Sequence, residues 1–244
     1  MDRVIYTAMS GAKATMTRQD AIANNLANAS TDGFRADLSA FRAVPIQGQG
    51  APTRVHALEA TAGFDAAAGP IARTGRNLDI AVRGAGWFAV QGLDGNEAYT
   101  RAGGLEVSAD GTLQTRAGFP VLGDGGPIVV PQGAEVSIGA DGTVTAKAGT
   151  TPPTPVGQIK LVNPPVGELR KGADGLMRVA GGDPAPPDPA VRVVDGALEG
   201  SNVNPVESMV GMIAAARQFE MQMKMLQTAE GNEQRAAKLL SPAG

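Results

Sequence analysis

The sequence predicts an α+β fold. Its N- and C-terminal helices pair as a coiled-coil-like helical domain, joined by an extended connector to a central all-β domain. Three observations predict it. Apolar residues recur at three- and four-residue steps at both chain ends. Asp-Gly pairs punctuate short alternating runs in the middle. Proline-rich stretches separate those runs. Two terminal helices that match each other around a β-rich middle suggest a subunit that assembles through its ends. That pattern is common in helical filaments and unusual in an enzyme.

Residues 1–33 read as the N-terminal helix of an inner helical domain. There Ile5, Ala12 and Leu26 fall on seven-residue steps, and Ala8, Thr15 and Ile22 follow three residues behind. Small side chains on such a stripe let a second helix approach closely. Ser30-Thr31-Asp32-Gly33 then stops the helix, because Gly33 can take positive φ. Residues 34–78 form an extended connector, and Phe41–Gly69 shows no clear period.

Residues 79–190 read as the β domain. Asp94, Asp110, Asp124, Asp141 and Asp174 are each followed by Gly, the signature of recurring tight hairpins. The strands expected between them are Asp79–Val82, Trp87–Val90, Glu97–Thr100, Leu105–Ser108, Thr112–Thr115, Ile128–Val130, Glu135–Ile138, Thr143–Ala146 and Gln158–Val162. Thr150–Pro155 and Asp183–Pro189 are proline-rich and read as exposed loops. Residues 191–203 are a return segment.

Residues 204–244 read as the C-terminal helix of the helical domain. Asn204 is a good N-cap, Pro205 suits the first helical position, and Glu207 stands where a capping-box acid stands. Met209, Met212, Ala216, Phe219, Met223 and Leu226 make a heptad seam, and Val206, Val210 and Ile213 add a second stripe. A methionine-rich seam adapts to irregular neighbours, so its partner is assigned to other subunits as well as to the first helix. Gly231 weakens the helix, and Ala236, Ala237, Leu239 and Leu240 resume it.

Composition narrows the function. Of the 244 residues 43% are hydrophobic but only 4% aromatic, so the core is thin and aliphatic, with Trp87 and Phe88 as its anchors. A net charge of −3 argues against a nucleic-acid footprint. The absence of cysteine removes disulfides and thiolate metal sites. No run is long and apolar enough to span a membrane, so direct membrane insertion is not expected. Residues 1–9 lack the basic and apolar regions of a cleavable signal peptide.

No residue is nominated as catalytic, cofactor-binding or metal-ligating. His56 is the only histidine and is read as solvated. The glycine-rich stretches 83–87 and 123–126 do not lead into helices and read as turns. The Asp-Gly sites lack the alternating acids of a calcium loop. Glu97 with Glu106 is one of many acid pairs that a chain with 24 acids offers. Gly-x-Ser-x-Gly is absent. No small-molecule substrate is implied.

Three motifs carry a resemblance. Residues 23–35, with Asn24, Asn25, Leu26, Asn28, Gly33 and Phe34, resemble the N-terminal signature of bacterial flagellar rod and hook proteins. Residues 198–207, with Ser201, Asn202, Val203 and Glu207, resemble their C-terminal signature. Residues 99–103, 110–111 and 118–123 look like their shared β domain. Within the family the chain is most similar to the proximal-rod branch, with the distal-rod branch as the alternative. The resemblance implies a structural subunit of the periplasmic flagellar rod. Such a subunit is exported through the flagellar type III apparatus without a cleaved signal, and polymerises with its own copies and with neighbouring rod proteins as a torque-transmitting drive shaft. The rival from another class is a rod-associated secreted cell-wall hydrolase, which needs paired acids in a cleft of the β domain. An adaptor bound to the rod is a third reading.

Overall fold

The apolar spacing at the chain ends is expressed as two helices, α1 (Asp2–Ala27) and α2 (Pro205–Leu240). The computed structural model describes the backbone of residues 2–45 and 55–240, and the side chains of 8–42, 44, 63–232, 234 and 235. Contacts divide the chain into two units. The first comprises Met1–Ala27, Asp37–Gly63 and Asn204–Gly244, and the second Asn28–Ala36 and Phe64–Val203.

In the first unit α1 and α2 pack against each other. A Cβ built at Gly11 would stand 3.1 Å from the Gln222 amide, and one at Gly211 3.4 Å from Ile22. Moving up α1 from 11 to 22 thus moves down α2 from 222 to 211, so the helices run antiparallel. Small residues make the close approach possible: Ala8, Ala12 and Ala14 are buried, as is Ala215. Thr15 is also buried, and its hydroxyl donates to the Gly11 carbonyl one turn back at 2.9 Å, which satisfies it within its own helix.

Asn204 caps α2, its Oδ1 accepting from the N–H groups of Val206 and Glu207 at 3.1 and 3.3 Å. The helix runs through Gly231 despite its poor propensity.

The expected connector is more ordered than an extended link. Strands β1 (Asp37–Pro45) and β2 (Val55–Phe64) pair as a two-stranded ribbon. Leu38 and Phe41 on β1 are exposed. Phe64, at the end of β2, is buried in an apolar cluster of the second unit. His56 lies on β2, and its side chain falls outside the described residues.

The second unit is all β. Its strands in order are β3 (Ile71–Arg73), β4 (Ile80–Arg83), β5 (Trp87–Gln91), β6 (Glu97–Thr100), β7 (Leu105–Val107) and β8 (Leu113–Thr115). They continue as β9 (Leu122–Gly123), β10 (Gly126–Pro127), β11 (Glu135–Ile138), β12 (Thr143–Lys147), β13 (Thr154–Gln158) and β14 (Leu161–Val162). The last are β15 (Leu169–Lys171), β16 (Met177–Val179), β17 (Arg192–Asp195) and β18 (Ala197–Glu199).

A five-stranded sheet of order β14-β5-β6-β16-β15 forms the centre. Both of its faces are covered, as alternation along β5 shows. Phe88 and Val90 join one apolar cluster, with Ile80, Leu105, Leu113 and Ile159 among its members. Trp87 and Ala89 join a second, with Tyr99, Val162 and Met177. The expected anchors Trp87 and Phe88 are both buried, on opposite faces.

Four of the five Asp-Gly pairs close hairpins by one device. Gly95, Gly111, Gly142 and Gly175 have φ of 77°, 90°, 85° and 78°, and no non-glycine residue among those described has positive φ. Each glycine N–H donates to the carbonyl three residues back, at 2.9–3.1 Å. Each aspartate Oδ1 accepts from the N–H two residues on, at 3.0–3.2 Å. The result is a three-residue loop with a bulged glycine, not a mirror-image two-residue turn, because only the glycine enters the left-handed region. In the fifth pair Gly126 takes the positive φ in place of Gly125.

Two expectations change. Thr154–Gln158 is a strand, although Thr150–Pro155 reads as a loop. It lies at a sheet edge, opposite a register shift between Val144 and Thr145, where a proline without an N–H is tolerated. Residues 128–130 make only a bridge, Val129 to Thr112, and the nearest strand is Gly126–Pro127. The short strands β15 to β18 carry too few residues to show a period.

Candidate functional site

Two constructions, one in each unit, carry the residues that the sequence singles out. In the first unit α2 has two apolar sides. Toward α1 lie Gly211, Ala215 and Gln222, with Ala215 only 2% exposed. Of the heptad seam, Met212, Ala216, Phe219 and Leu226 are half-buried, whereas Met209 and Met223 are exposed. The packed stripe is therefore turned from the seam read in the sequence, because the glycine and alanines of α2 admit α1 more closely than methionines would. On α1, Ala8, Ala12 and Thr15 are buried and Ile22 and Leu26 half-buried; the side chain of Ile5 lies outside the described residues.

The other side of α2 is bare. Val206, Val210, Ile213 and Met221 are exposed by 69, 61, 55 and 65%. At 3.6 residues per turn Val206 and Ile213 stand across the helix from Gly211, Ala215 and Gln222, and Val210 and Met221 stand on its flank.

The N-terminal motif begins by fastening β1 to α1. Asn25 embraces Asp37: its Nδ2 donates to the Asp37 carbonyl at 3.0 Å and its Oδ1 accepts from the Asp37 N–H at 2.8 Å. Asn24 donates to the Asp37 carboxylate at 2.7 Å. One side-chain amide thus meets both backbone groups of one residue, as a neighbouring strand would.

In the second unit, parts of both motifs meet in a clamp. Gly33 donates its N–H to the Glu199 carbonyl at 2.7 Å, and Asn202 its N–H to the Phe34 carbonyl at 3.3 Å. The Asn202 side chain accepts from the Ala36 N–H at 2.8 Å and donates to the carbonyls of Asp65 and Ala67 at 3.0 and 3.1 Å. Three stretches, 33–36, 65–70 and 199–202, are so held side by side. Gly33 has φ 68°, and a Cβ there would stand 2.2 Å from the Arg101 carbonyl carbon, so only glycine fits. The Phe34 ring receives Lys171 Nζ at 3.9 Å from its centroid. Ser201 Oγ accepts from the Val203 N–H, and Asn28 Oδ1 from the Thr31 hydroxyl. Glu207 is exposed in the first turn of α2.

At the centre of the clamp is a buried ionic cluster. Glu199 Oε1 accepts from Arg35 Nη2 at 2.6 Å and the Gly69 N–H at 2.9 Å, and Oε2 from Arg101 Nη1 at 2.8 Å. The three side chains are exposed by only 0, 1 and 5% for Glu199, Arg35 and Arg101. Trp87 lies against both cations, 5.7 Å from Arg35 Cζ and 5.4 Å from Arg101 Cζ. Burial pulls Arg101 below the usual arginine range, and the bond to Glu199 opposes it. A buried carboxylate held by three donors, two of them cationic, acts as an anchor.

Arg35, Arg101 and Glu199 all occur in the stretches that carry the resemblance, yet sequence reasoning did not single them out. A charge in a β-rich chain reads as solvated, and only the fold brings residues 35, 101 and 199 together.

The acid pair Glu97 and Glu106 serves two other purposes. Glu97 accepts from Lys160 at 2.8 Å and from the Tyr99 hydroxyl at 2.8 Å, while Glu106 accepts from Gln114 at 2.8 Å. Burial first, and then Glu97, push the Tyr99 hydroxyl up to about 12. Among the described residues no group of three or more His, Asp or Glu is placed to hold a metal, and no helix is long and apolar enough to cross a membrane.

In one unit two sequence-distant motifs are locked onto β structure, in the other the terminal helices pair antiparallel, and comparison with known proteins gives the class of protein to which this architecture belongs. The family profile described as flagella basal body rod protein matches residues 5–35. The profile of the flagellar hook protein FlgE/F/G D1 domain matches 81–146, and that of the flagellar basal body rod FlgEFG protein C-terminal region matches 194–239.

The chain is 48% identical to the flagellar basal-body rod protein FlgF of Salmonella typhimurium, over 99% of both chains, and equally so to that of Escherichia coli. It is 32% identical to the flagellar basal-body rod protein FlgG of Agrobacterium fabrum, over 93% of this chain and 95% of the other. This chain belongs to the flagellar basal-body rod protein family, whose members are structural components of the rod.

Proposed function

We propose that this chain is a non-enzymatic subunit of the proximal rod that polymerises through its terminal helices. One observation carries the reading: the first turns of α2 expose Val206, Val210 and Ile213 away from the side that α1 covers. Each exposed valine, isoleucine or methionine on the bare side would gain about 1.5–3 kcal/mol on full burial. Several such contacts per subunit, repeated in a non-closing arrangement, build a stiff helical shaft.

The partners are other copies and neighbouring rod proteins, with the type III exporter as a transient partner. The location is the periplasmic part of the basal body. The α1–α2 pair acts as a coiled-coil-like inner domain, with Ala12, Met212, Phe219 and the remaining seam residues in the assembly interface. The 48% identity to the FlgF of Salmonella typhimurium, against 32% to the FlgG of Agrobacterium fabrum, supports the proximal position over the distal one.

The test is Val210→Asp with Ile213→Asp. Both side chains are exposed, so the purified variant should keep its circular dichroism while the cells lose motility and their basal bodies lose this subunit. Normal swimming would reject the interface.

A further inference from the structure

The β unit carries a groove of about 690 Å³ that plays no part in the clamp. Two proline-rich segments line it. Pro164 and Pro165 come from one, and Pro184, Pro186, Pro187 and Pro189 from the other. The second segment is seated firmly: the Ala185 N–H donates to the Tyr99 hydroxyl at 2.6 Å and the Asp188 N–H to the Leu161 carbonyl at 2.8 Å.

The chemistry of the lining is one-sided. Prolines have no N–H to offer. The N–H groups of Glu168, Ala180, Ala185 and Asp188 are already engaged within the fold. The charged side chains that line the groove are Glu168, Asp183 and Asp188, with no lysine or arginine in the lining itself, while Lys160 and Arg192 share the adjoining pocket with Asp188. None of these carboxylates has an ion-pair partner among the described residues, whereas the buried Glu199 and Asp79 do. Asn163 alone supplies a side-chain donor. The surface is thus apolar and rich in acceptors, and acids are the only charged groups in its lining.

We propose that this groove docks a basic, extended peptide segment of a partner protein. Aliphatic stems of lysine or arginine would lie on the proline rings while their heads reach the three carboxylates. Anionic surfaces such as acidic lipid or nucleic acid are repelled by the same charges. The proposal is independent of how the helices are used.

The test is fluorescence anisotropy with the full-length chain and a labelled peptide, Lys-Pro-Leu-Lys-Pro-Leu-Lys, against its counterpart with glutamate for lysine. The basic peptide should bind saturably and more weakly as salt rises. The E168Q/D183N/D188N variant, folded by circular dichroism, should bind about tenfold more weakly. A control variant, E106Q/E135Q/D195N, removes acids outside the groove and should bind as the wild type does. Absence of saturable binding, equal binding of the acidic peptide, or an equal loss in the control variant overturns the proposal. Sedimentation that reveals a self-dimer lost only in the groove variant would assign the groove to a second copy and overturn it as well.

Discussion

Glu199 concentrates the stability of the β unit in one side chain. It pairs with two buried arginines, and three of their nitrogens, Arg35 Nε and Nη1 and Arg101 Nε, already lack an acceptor among the described residues. Removing its charge leaves two buried cations facing each other. Glu199→Gln should therefore cost about 3–5 kcal/mol, read from urea unfolding. Trp87, the only tryptophan, lies against both arginines and reports the transition by fluorescence. At Gly33 the constraint is steric. Gly33→Ala should cost more than about 1 kcal/mol in the same assay, since it combines a left-handed backbone with a clash on Arg101. A midpoint equal to that of the wild type in either variant would remove the clamp from the account.

At the scale of elements, the hairpin loops link pH to stability. Asp94 is held below the usual carboxylate range by the Asn96 side chain, Asp110 by the Ser108 hydroxyl, Asp141 by the Thr143 N–H and Asp174 by Arg178. Each binds its proton more weakly folded than unfolded. The stabilisation is present above the free-aspartate value of about 4 and is lost as pH falls through the lower folded values. The urea midpoint should drop between pH 5 and pH 2 on the order of the aspartate titration, and should drop less in an Asp110→Asn, Asp141→Asn double variant.

The helix pair is governed by size instead of charge. Ala215→Glu places a long acid where α1 packs, so it should lower the helical circular-dichroism signal while leaving the β-unit transition in place. Retention of full helicity would mean that α1 and α2 do not depend on each other.

For the molecule as a whole, the resistant part should be larger than the central strands. Residues 28–36 and 199–203 belong to the β unit and supply Arg35, Glu199 and Asn202 to its clamp. Limited proteolysis followed by mass spectrometry should therefore leave a core from about residue 28 to about residue 203. A stable fragment of 79–194 would lack Arg35 and Glu199 and would show the clamp to be dispensable. A fully resistant chain would mean that the helices are self-sufficient before assembly, against the proposed role of the bare α2 face.

The sequence by itself determined the features that rest on neighbours along the chain. The two helices follow from their three- and four-residue apolar spacing and the Asn204 cap. The loops at Asp94, Asp110, Asp141 and Asp174 follow because only glycine enters the left-handed region at low cost. The burial of Trp87 and Phe88 follows from aromatic residues being so scarce. Only the tertiary structure decided which side of α2 meets α1, because methionines and alanines share the helix and close approach favours the smaller. It alone paired β1 with β2, across a segment where the sequence shows no clear period. It alone joined Arg35, Arg101 and Glu199, since an ion pair spanning 164 residues leaves no local pattern in the chain.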